Sequence, residues 1–584
     1  MFNISHIITS TPNELTIHFD KGGSQGGRNW QCLDGNNRLS DCNGENKTLH
    51  SGAWYVEGIY DELDQEEEFY YDKGKKLLYF YPNSTSCKGE EFTSLAKKSK
   101  STHCIPDLIA TNLKTLIKFD GTKEKPVQGV KLKNLKFRDS AKTYMEQWSA
   151  PSGGDWALFR GGAVHLDGTE NVTISDCHFR RLDGNAVMIS GYNRYAHITK
   201  SEFSWIGDGA MATWGDTKGY DATEGNQPRY SIIENNIISN IGLYQKQSSA
   251  WGQNKAMTST IRNNVMFNVP RAAINFNDHL GGGNSIEGNV IFNTCRESGD
   301  HGAINSWDRM PFLVDHNNGP SFTPLPTHTS RNLIMANYNS AQGFDNDDGS
   351  SWFYTHDNVF YSAKGFKMDY GGHSSRFENN LVYGDECYGT GDFLNKDLAD
   401  TFQGNICIID ETNTSKAIIF GHLFQCGFMV PRSNRYYSTS GSGKFLCGPK
   451  EAFTLQEMQK KGFELGSTIG TTPDSHTIIS WARKILHQPQ HRAYHKGQHS
   501  KKKKITIIVW LIVIVLLVGS LTKLLLLFSV RDSLQLIWER LCQCASFSKA
   551  SSDSTREPLL SQNIFETTIT NSTSGLPSSP LTVT

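Results

Sequence analysis

A short pattern of apolar and polar positions recurs through the middle of the chain. An apolar residue is followed three positions later by Asn or another small residue, and a second apolar residue comes two positions after that. The clearest copies are Ile174-Cys177-Phe179, Ile198-Ser201-Phe203, Ile233-Asn236-Ile238, Ile261-Asn264-Met266, Ile286-Asn289-Ile291, Phe377-Asn380-Val382 and Phe402-Asn405-Cys407. Their middle positions are often 22–28 residues apart. Because apolar positions two apart indicate strands, the repeat predicts coils of a parallel β-helix with an internal ladder of Asn side chains.

Each predicted coil contains a second strand, which begins with a small residue followed by an apolar one. Its copies lie at residues 163–167, 186–190, 210–214, 250–254, 273–277, 303–307, 343–347 and 365–369. The second and fourth positions are mostly apolar and should face inward, so the third and fifth should face outward. Since parallel crossovers are almost always right-handed, we predict an all-β, right-handed parallel β-helix over residues 126–445. Residues 1–125 lack the repeat and predict a separate small β domain or an insertion within an incomplete first coil. Residues 446–484 are predicted to form a closing segment.

A long apolar run near the C-terminus predicts a membrane span. Residues 505–522 are almost wholly apolar, and a second apolar run at 524–530 follows Lys523. This length is enough to cross a bilayer as a helix, so we predict one transmembrane helix at 505–527. A polar and basic stalk precedes it at 485–504, and a tail predicted to be disordered follows at 528–584. Residues 1–20 do not read as a signal peptide, so either the N-terminus is incomplete or the span is itself the targeting signal.

The sequence gives conflicting signals about the side of the membrane on which the large domain lies. Six Lys and Arg residues lie at 485–504 and two at 529–548, which favours a cytoplasmic large domain. Sequons and closely spaced cysteines favour an oxidising lumenal compartment. The sequons begin at Asn3, Asn46, Asn83, Asn171 and Asn413, and the expected disulfides are Cys32–Cys42, Cys87–Cys104, Cys387–Cys407 and Cys426–Cys447. Because long domains cross membranes regardless of flanking charge, we predict a single-pass glycoprotein whose large domain is extracellular or lumenal, with Cys177 as a free thiol.

The overall charge and the known motifs narrow the classes of function. The chain has 58 Lys and Arg residues against 59 Asp and Glu residues, a formal net charge of −1. This balance argues against a nucleic-acid partner, which requires a basic surface. We find no His/Cys spacing typical of zinc, no glycine-rich nucleotide loop and no serine-hydrolase motif. The chemistry must therefore be sought on the outer faces of the predicted coils.

Several segments resemble proteins of the glycoside hydrolase family 141 type. The Gly-Ala-Trp-Tyr stretch at 52–55 and the Lys-Leu-Leu-Tyr-Phe-Tyr-Pro stretch at 76–82 resemble the insertion domain of these proteins. Segments 129–137, 162–179, 299–307 and 344–351 resemble their right-handed β-helix, and 453–467 resembles their closing segment. The resemblance covers roughly residues 50–480 and implies carbohydrate chemistry, whereas a fold by itself does not define a substrate.

Polar residues occupy the outward positions of neighbouring predicted coils. The third positions are Asn275, Asn305, Asp345 and Lys367, and the fifth positions are Asn277, Trp307, Asp347 and Asp369. Flanking them are Asp278, Asp300, His301, Asp308 and Asp348, and earlier coils add His165 and Trp214. An exposed strip of this composition suits a sugar, because indole rings stack on pyranose faces while amides and carboxylates bind hydroxyls. Asp and Asn are also common in turns, so an ordinary solvated face is the alternative interpretation.

Two carboxyls in this strip are our candidates for acid and base. Asp345 lies beside Lys367, which should keep it ionised, and it is the predicted nucleophile or base. Asp347 lies ~5 Å from Asp369 in the next coil, so one of the two should hold its proton near neutrality, and Asp347 is the predicted acid. Carboxyls in adjacent coils are spaced as in retaining enzymes, whereas Asp345 and Asp347, ~6.5–7 Å apart along one strand, approach the inverting range. The sequence leaves both stereochemical outcomes open.

The remaining candidates complete the predicted site. Asp300 and His301 are a reserve catalytic pair, and Trp307 and Trp214 are predicted stacking platforms. Asn275, Asn305, Asp348 and His165 are predicted to contact the glycan.

Three functions fit this strip. They are a glycoside hydrolase with a carboxylate pair, which we favour, a Ca²⁺-dependent polysaccharide lyase with Lys367 as base, and a non-catalytic glycan-binding or adhesive surface. The expected partners are a polysaccharide or glycan and a membrane, and no cofactor other than Ca²⁺ is implied.

Overall fold

The computed structural model describes most of the predicted repeat region and little beyond it. The described residues are 2–11, 14–22, 56–81, 108–146, 158–219, 221–277, 281–297, 301–307, 324–335, 342–369, 371–390, 398–409, 418–423, 429–448, 451–488 and short strands at 32–33, 39–40, 48–49, 569–570 and 581–583. By its internal contacts the chain divides into one unit of Met1–Thr472, Trp481–Gln488 and Thr568–Thr584 and a second of Pro473–Ser480 and Pro489–Thr567.

The N-terminal region forms small antiparallel sheets, in contrast to the repeat region. Its elements are β1 (Phe2–Thr11), β2 (Glu14–Gly22), β3 (Cys32–Leu33), β4 (Leu39–Ser40), β5 (Thr48–Leu49), a 3₁₀ turn (Tyr60–Glu62), β6 (Phe69–Asp72) and β7 (Leu77–Phe80). Strands β1 and β2 pair, β3 pairs with β4 and β5, and β6 pairs with β7. These antiparallel pairings differ from the parallel pairing of the repeat region.

Three long sheets make up the repeat region. Sheet 1 contains β8 (Ile117–Asp120), β9 (Val127–Gln128), β12 (Val164–Glu170), β15 (Val187–Arg194), β18 (Met211–Trp214), β19 (Pro228–Arg229), β22 (Trp251–Gln253), β25 (Ile274–Asn277), β28 (Ile304–Trp307), β31 (Phe344–Asp347), β34 (Phe366–Met368), β37 (Tyr388–Thr390), β40 (Ile419–Leu423), β43 (Lys444–Cys447) and β44 (Ala452–Phe453).

Sheet 2 contains β10 (Lys131–Lys133), β13 (Thr173–Ser175), β16 (His197–Thr199), β20 (Ile232–Glu234), β23 (Thr260–Arg262), β26 (Ser285–Glu287), β29 (Thr327–Ser330), β32 (Phe353–His356), β35 (Arg376–Glu378), β38 (Asp400–Gln403) and β41 (Met429–Arg432). Sheet 3 contains β11 (Lys136–Ser140), β14 (His178–Leu182), β17 (Glu202–Ile206), β21 (Ile237–Ser239), β24 (Val265–Phe267), β27 (Val290–Phe292), β30 (Leu333–Met335), β33 (Val359–Tyr361), β36 (Leu381–Gly384), β39 (Ile406–Ile409), β42 (Arg435–Ser438) and β45 (Thr468–Thr471).

Each turn of the chain contributes one strand to each sheet, and neighbouring coils pair in parallel. Only the last pair of sheet 1, between β43 and β44, is antiparallel among the described strands of the three sheets. The fold is therefore all-β with long parallel sheets, as in a parallel β-helix. Parallel pairing runs from β8 to β45, so the coils begin before residue 126 and continue past residue 445, the limits predicted from sequence.

The interior is apolar at the positions that the pattern assigned to it. On β15, Val187 and Ile189 lie in the main core, and on β25 Ile274 and Phe276 do the same. Met188, the outward residue between the first two, belongs instead to a separate small cluster outside the core. The predicted alternation of inward and outward positions along sheet 1 is thus confirmed.

The predicted Asn ladder is present and is continuous over eight coils. The side-chain amide of each Asn donates to the amide oxygen of the next at 2.9–3.3 Å. Its members are Asn236, Asn264, Asn289, Asn332, Asn358, Asn380, Asn405 and Asn434. The backbone N–H of each inner member also donates to the side-chain oxygen of the next Asn. Each side chain therefore forms hydrogen bonds that link two neighbouring coils.

The closing segment terminates this ladder. Asn434 donates to the buried carboxylate of Glu464 at 3.2 Å, and the hydroxyls of Tyr436 and Ser467 donate to the same carboxylate at 2.5 and 2.6 Å. Two helices follow in this region, α1 (Leu455–Lys460) and α2 (Ser475–Ile485). Helix α1 begins at a capping box formed by Thr454 and Glu457.

Some sequence predictions lie outside the described residues and some are wrong. Cys387 and Cys407 are free thiols rather than a disulfide, because both point into the apolar core, where they contact each other by a hydrogen bond. Cys177 is free, as expected, and so is Cys295. Cys447 is in a disulfide, and its predicted partner, Cys426, lies outside the described residues.

The predicted membrane span at 505–527 also lies outside the described residues. No helix within the described part of the chain is long and apolar enough to cross a membrane. Most of the tail at 528–584 is likewise outside, but two short strands within it, β46 (Ile569–Thr570) and β47 (Leu581–Val583), pair with each other, and β47 pairs with β2.

Candidate carboxylate site on the outer face of sheet 1

Four adjacent strands of sheet 1 bring the predicted polar column together. Asn275, Asn305, Asp345 and Lys367 are direct Cα partners on β25, β28, β31 and β34. In the neighbouring column, Trp307 is paired with Asp347. Because parallel strands repeat in register, residues far apart in sequence become nearest neighbours on one face. The predicted juxtaposition is confirmed.

The column is not the exposed strip that the sequence led us to expect. Asp345 is completely buried, and Asn275 and Asn305 are 1% exposed. The side chains of Asp347 and Asp369 retain 17% and 19% exposure. The alternation of a strand determines the side of the sheet on which a residue lies, whereas it does not determine what else covers that side. Only the fifth-position carboxyls of this cluster therefore reach solvent.

The ammonium of Lys367 lies among three carboxyls. Its Nζ is 3.0 Å from Asp345 Oδ1, 2.8 Å from Asp369 Oδ2 and 3.5 Å from Asp347 Oδ1. Burial by itself would lower the pKa of Lys367, but the three carboxyls raise it above its ordinary value. Lys367 is therefore firmly protonated. We call these four residues the Lys367 cluster.

Burial governs the protonation of two aspartates in the Lys367 cluster, Asp345 and Asp369. It raises the pKa of Asp345 to about 7, against the opposing effect of Lys367. It also raises the pKa of Asp369, again against Lys367. The expectation that Lys367 would keep Asp345 ionised is therefore wrong, because desolvation of the carboxylate outweighs the ion pair. The side-chain amide of Asn305 is oriented so that its nitrogen donates to Asp345 Oδ2 at 3.3 Å and its oxygen accepts from the backbone N–H of Ser306 at 3.0 Å.

Two carboxyls of the Lys367 cluster also form an acidic group with Asp348. Carboxylate oxygens of Asp347, Asp348 and Asp369 lie within 4.8 Å of one another, close enough to share a cation. All three residues are partly exposed. Oxygen ligands at this spacing suit Ca²⁺, in agreement with the cofactor alternative raised by the sequence.

Other predicted site residues lie apart from the cluster or outside the described residues. His165 on β12 and Trp214 on β18 are six and four strands away from β31, which corresponds to roughly 29 and 19 Å. Burial lowers the pKa of His165 to about 4, so this imidazole is neutral. His301 is described and 8% exposed, whereas its predicted partner Asp300 lies outside the described residues, as do Asp278 and Asp308.

Sequence reasoning missed two features near the candidate residues. Arg160 lies 5.5 Å from the Trp214 ring and donates to Ser190 Oγ at 2.8 Å, so it buttresses this tryptophan. No sequence pattern marks Arg160, which belongs to no strand. Beneath the cluster, Ser306 donates to Asn346 Oδ1 at 3.1 Å on the inner face of sheet 1. The sequence did contain a signal for this inner polar pair, because Ser306 and Asn346 occupy fourth positions, which are mostly apolar in the other coils.

Comparison with known proteins assigns no family. No protein-family model matches the chain, and no curated protein matches it. A solved structure described as "Glycoside hydrolase" aligns over 52% of this chain and 55% of its own, with 15% identity and a TM-score of 0.41. The chain thus spans about half the length of that structure, and a likeness this weak supports no argument about activity. The resemblance to glycoside hydrolase family 141 stays a prediction.

Proposed function

We propose that this protein is a carbohydrate-active enzyme that hydrolyses glycosidic bonds at the Lys367 cluster. The observation that carries the proposal is the unequal state of three carboxyls that share one ammonium. Asp345 is buried with a pKa of about 7, while Asp347 and Asp369 are partly exposed. Glycoside hydrolysis needs one protonated and one ionised carboxyl on the two sides of the scissile bond. A cluster with fewer cations than carboxyls retains such a proton near neutrality.

In this proposal the exposed carboxyls perform the chemistry. Asp347 and Asp369 are the acid and base pair, because only they reach solvent where a sugar could bind. Asp345 is a positioning residue, since it is completely buried behind them and holds the Lys367 ammonium. Trp307, in the same column as Asp347, supplies an indole for stacking on a pyranose ring.

The test is a panel of glycans incubated with the full-length chain and assayed for release of reducing ends. Asp347→Asn and Asp369→Asn should each lower kcat by roughly 10²–10⁴-fold, the usual contribution of a general acid or base. Asp385→Asn is the matched control, because that carboxyl is exposed and outside the cluster. Turnover close to wild type in both cluster variants would show that the site lies elsewhere.

The positioning role of Asp345 has a separate readout. Above pH 7 the ionised Asp345 repels the neighbouring carboxylates, and Asp345→Asn removes that repulsion. The alkaline limb of the pH profile of kcat/KM should therefore move to lower pH in this variant. An unchanged pH profile with reduced stability would indicate that Asp345 is merely structural.

A calcium-dependent lyase is the second candidate, and the carboxylates of Asp347, Asp348 and Asp369 favour it. A lyase of this kind needs a neutral lysine as base, whereas the surrounding carboxyls raise the pKa of Lys367. Hydrolysis is therefore the better supported chemistry. Activity that a chelator abolishes and that yields an unsaturated uronate would select the lyase, and saturable glycan binding without product would select a non-catalytic glycan-binding surface.

We also propose that the chain is anchored by the span at 505–527 with its large domain outside the cytosol. Support comes from the apolar run at 505–522 and from the exposure of the sequon residue Asn171. Expressed in secretory cells, the full chain should lose mass on glycosidase treatment, and Thr173→Val should reduce that loss by one glycan. No mass loss, with protease access only from the cytosolic side, would reverse the orientation.

A further inference from the structure

Two arginines lie side by side and buried at one end of sheet 1. Arg194 on β15 and Arg229 on β19 are direct Cα partners, and they are 8% and 1% exposed. Like charges in directly opposed positions of a sheet repel each other. Burying two cations together also carries a large desolvation cost.

The groups that contact Arg194 are neutral. Its guanidinium donates to the backbone oxygens of Asn193, Gln227 and Gly225 at 2.8, 2.6 and 2.9 Å. Its ring partner is Tyr192, whose centroid is 4.3 Å from the guanidinium carbon. Burial and then the repulsion of a second arginine lower the pKa of Arg194. Tyr192, Tyr230 and Glu170 oppose this shift electrostatically.

Two carboxylates in this region have other hydrogen-bonding or ionic partners. Glu170, in the same column as Arg194, accepts hydrogen bonds from Tyr192 and from Gln128. Glu224 forms an ion pair with Lys218. Glu170 thus acts on Arg194 through its charge, while its hydrogen bonds go to Tyr192 and Gln128.

Three cationic groups converge on an open space above Gly225. This residue is buried with φ +74°, a conformation that favours glycine. A β-carbon at this position would have as its nearest neighbours Arg194 Nη2 at 3.6 Å, Arg229 Nη2 at 3.8 Å and Lys123 Nζ at 3.8 Å. The space is therefore large enough for one heavy atom and is lined by positive charge from three separate segments.

We propose that this cradle, formed by Lys123, Arg194, Arg229 and Gly225, binds a compact oxyanion such as a sulfate or carboxylate group. Guanidinium groups present planar donors that match the oxygens of such anions, and an ammonium adds a point charge. Because Gly225 has no side chain, an anion oxygen can take the position that a β-carbon would fill. The oxyanion is either a free ion or an acidic substituent of a glycan, and the two share the same chemistry.

This inference does not depend on the Lys367 cluster. The cradle is formed by β15, β19, the loop before β19 and the turn before β9, whereas the cluster belongs to β31 and β34. Loss of glycan hydrolysis would therefore leave anion binding intact, and loss of anion binding would leave the carboxyl chemistry intact.

The test is calorimetric titration of the full-length chain with sodium sulfate at constant ionic strength. One saturable site is expected. Lys123→Gln should weaken sulfate binding about tenfold or more, the usual effect of losing a charged hydrogen-bond donor. Lys123 is exposed, so this variant should fold normally, and Lys125→Gln is a matched control in the same exposed turn. Gly225→Ala should abolish binding by filling the cradle, provided that its circular dichroism matches wild type.

Two further titrations distinguish the sources of the oxyanion. Acetate tests a free carboxylate, and a sulfated oligosaccharide with its desulfated counterpart tests an acidic glycan. Tighter binding of the sulfated oligosaccharide than of inorganic sulfate, lost in Lys123→Gln, would identify a glycan substituent. Binding of the inorganic ion alone would identify a free anion. The proposal is overturned if no probe binds saturably, or if Lys123→Gln binds sulfate as wild type does.

Discussion

We expect the buried carboxyl of Asp400 to be protonated in the folded chain. Replacing Asp400 with Asn should therefore remove its contribution to the pH dependence of stability. Asp400 begins strand β38 and is completely buried. Its Oδ1 accepts the backbone N–H of Ser375 at 2.7 Å, and Asn284 plays the same role for Ser259 four coils earlier. Burial raises the pKa of Asp400 from 3.8 to about 8, against the effect of the Ser375 hydrogen bond.

The magnitude follows from proton linkage. Between pH 3.8 and 8 the unfolded chain releases the Asp400 proton while the folded chain keeps it. Each pH unit in this window costs about 1.4 kcal/mol of folding free energy, so the cost at pH 7 is about 4 kcal/mol. The stability associated with this group is therefore greatest below pH 3.8, falls as the pH rises to 8, and is constant above that.

Asp400→Asn removes the titration and keeps the acceptor for Ser375. The new amide brings buried donors, which cost about 1–3 kcal/mol where they lack partners. The variant should therefore be less stable than wild type by about that amount at pH 4. At pH 7 the lost titration outweighs this cost, and the variant should be more stable by about 1–3 kcal/mol.

The measurement is thermal unfolding of the full-length chain, followed by tryptophan fluorescence from pH 4 to pH 8. At roughly 2 °C per kcal/mol for a domain of this size, the Tm of Asp400→Asn should cross that of wild type between these limits. Asp385→Asn is the control, because its carboxyl is exposed and its Tm difference from wild type should stay near zero. A Tm difference for Asp400→Asn that does not vary with pH would refute the protonation of Asp400 in the folded state.

Three further changes test the ladder, the packing and the site. Asn289→Asp places a carboxyl oxygen where the amide donates to Asn332 at 2.9 Å, so it should lower stability by about 3 kcal/mol or more in thermal unfolding. Gly365→Ala puts a β-carbon 2.0 Å from the backbone oxygen of Cys387, and a Tm depressed by several degrees is expected. Trp307→Ala should raise KM for a hydrolysed glycan more than it lowers kcat, and the reverse ratio would argue against a stacking role.

The sequence predicted those features that follow from in-register repetition. Because each coil adds one strand to each sheet, residues that are one repeat of 22–28 positions apart become direct neighbours in space. Asn264 and Asn289 could be placed in one ladder on this basis, and Asp345 could be placed beside Lys367. Neither prediction required knowledge of any loop.

The sequence did not predict that the outer face of sheet 1 is covered at Asp345, or that the thiols of Cys387 and Cys407 point into the core. Asp345 was expected to be exposed because it lies on the outer side of its strand, but it is completely buried. Cys387 and Cys407 were read as a disulfide from their spacing, but both lie inside the core. The spacing of residues along the chain does not predict which segments cover a sheet face, because loops do not follow the repeat. It also does not predict whether a cysteine side chain points into the core. The Gly225 cradle has no periodic signal either, because Lys123 and Gly225 lie in loops outside the repeated strands.

The charge balance of the Lys367 cluster connects the proposed functions. Three ionised carboxyls around one ammonium would carry a formal charge of −2 in a largely buried site, which is unfavourable without compensation. A proton on Asp345 or Asp369 relieves part of that charge and creates the acid that a hydrolase needs. A divalent cation on Asp347 and Asp369 relieves it equally well and leads to lyase chemistry or metal-assisted binding. Proton and cation compete for the same negative charge, so cation affinity should rise with pH as the cluster loses its proton.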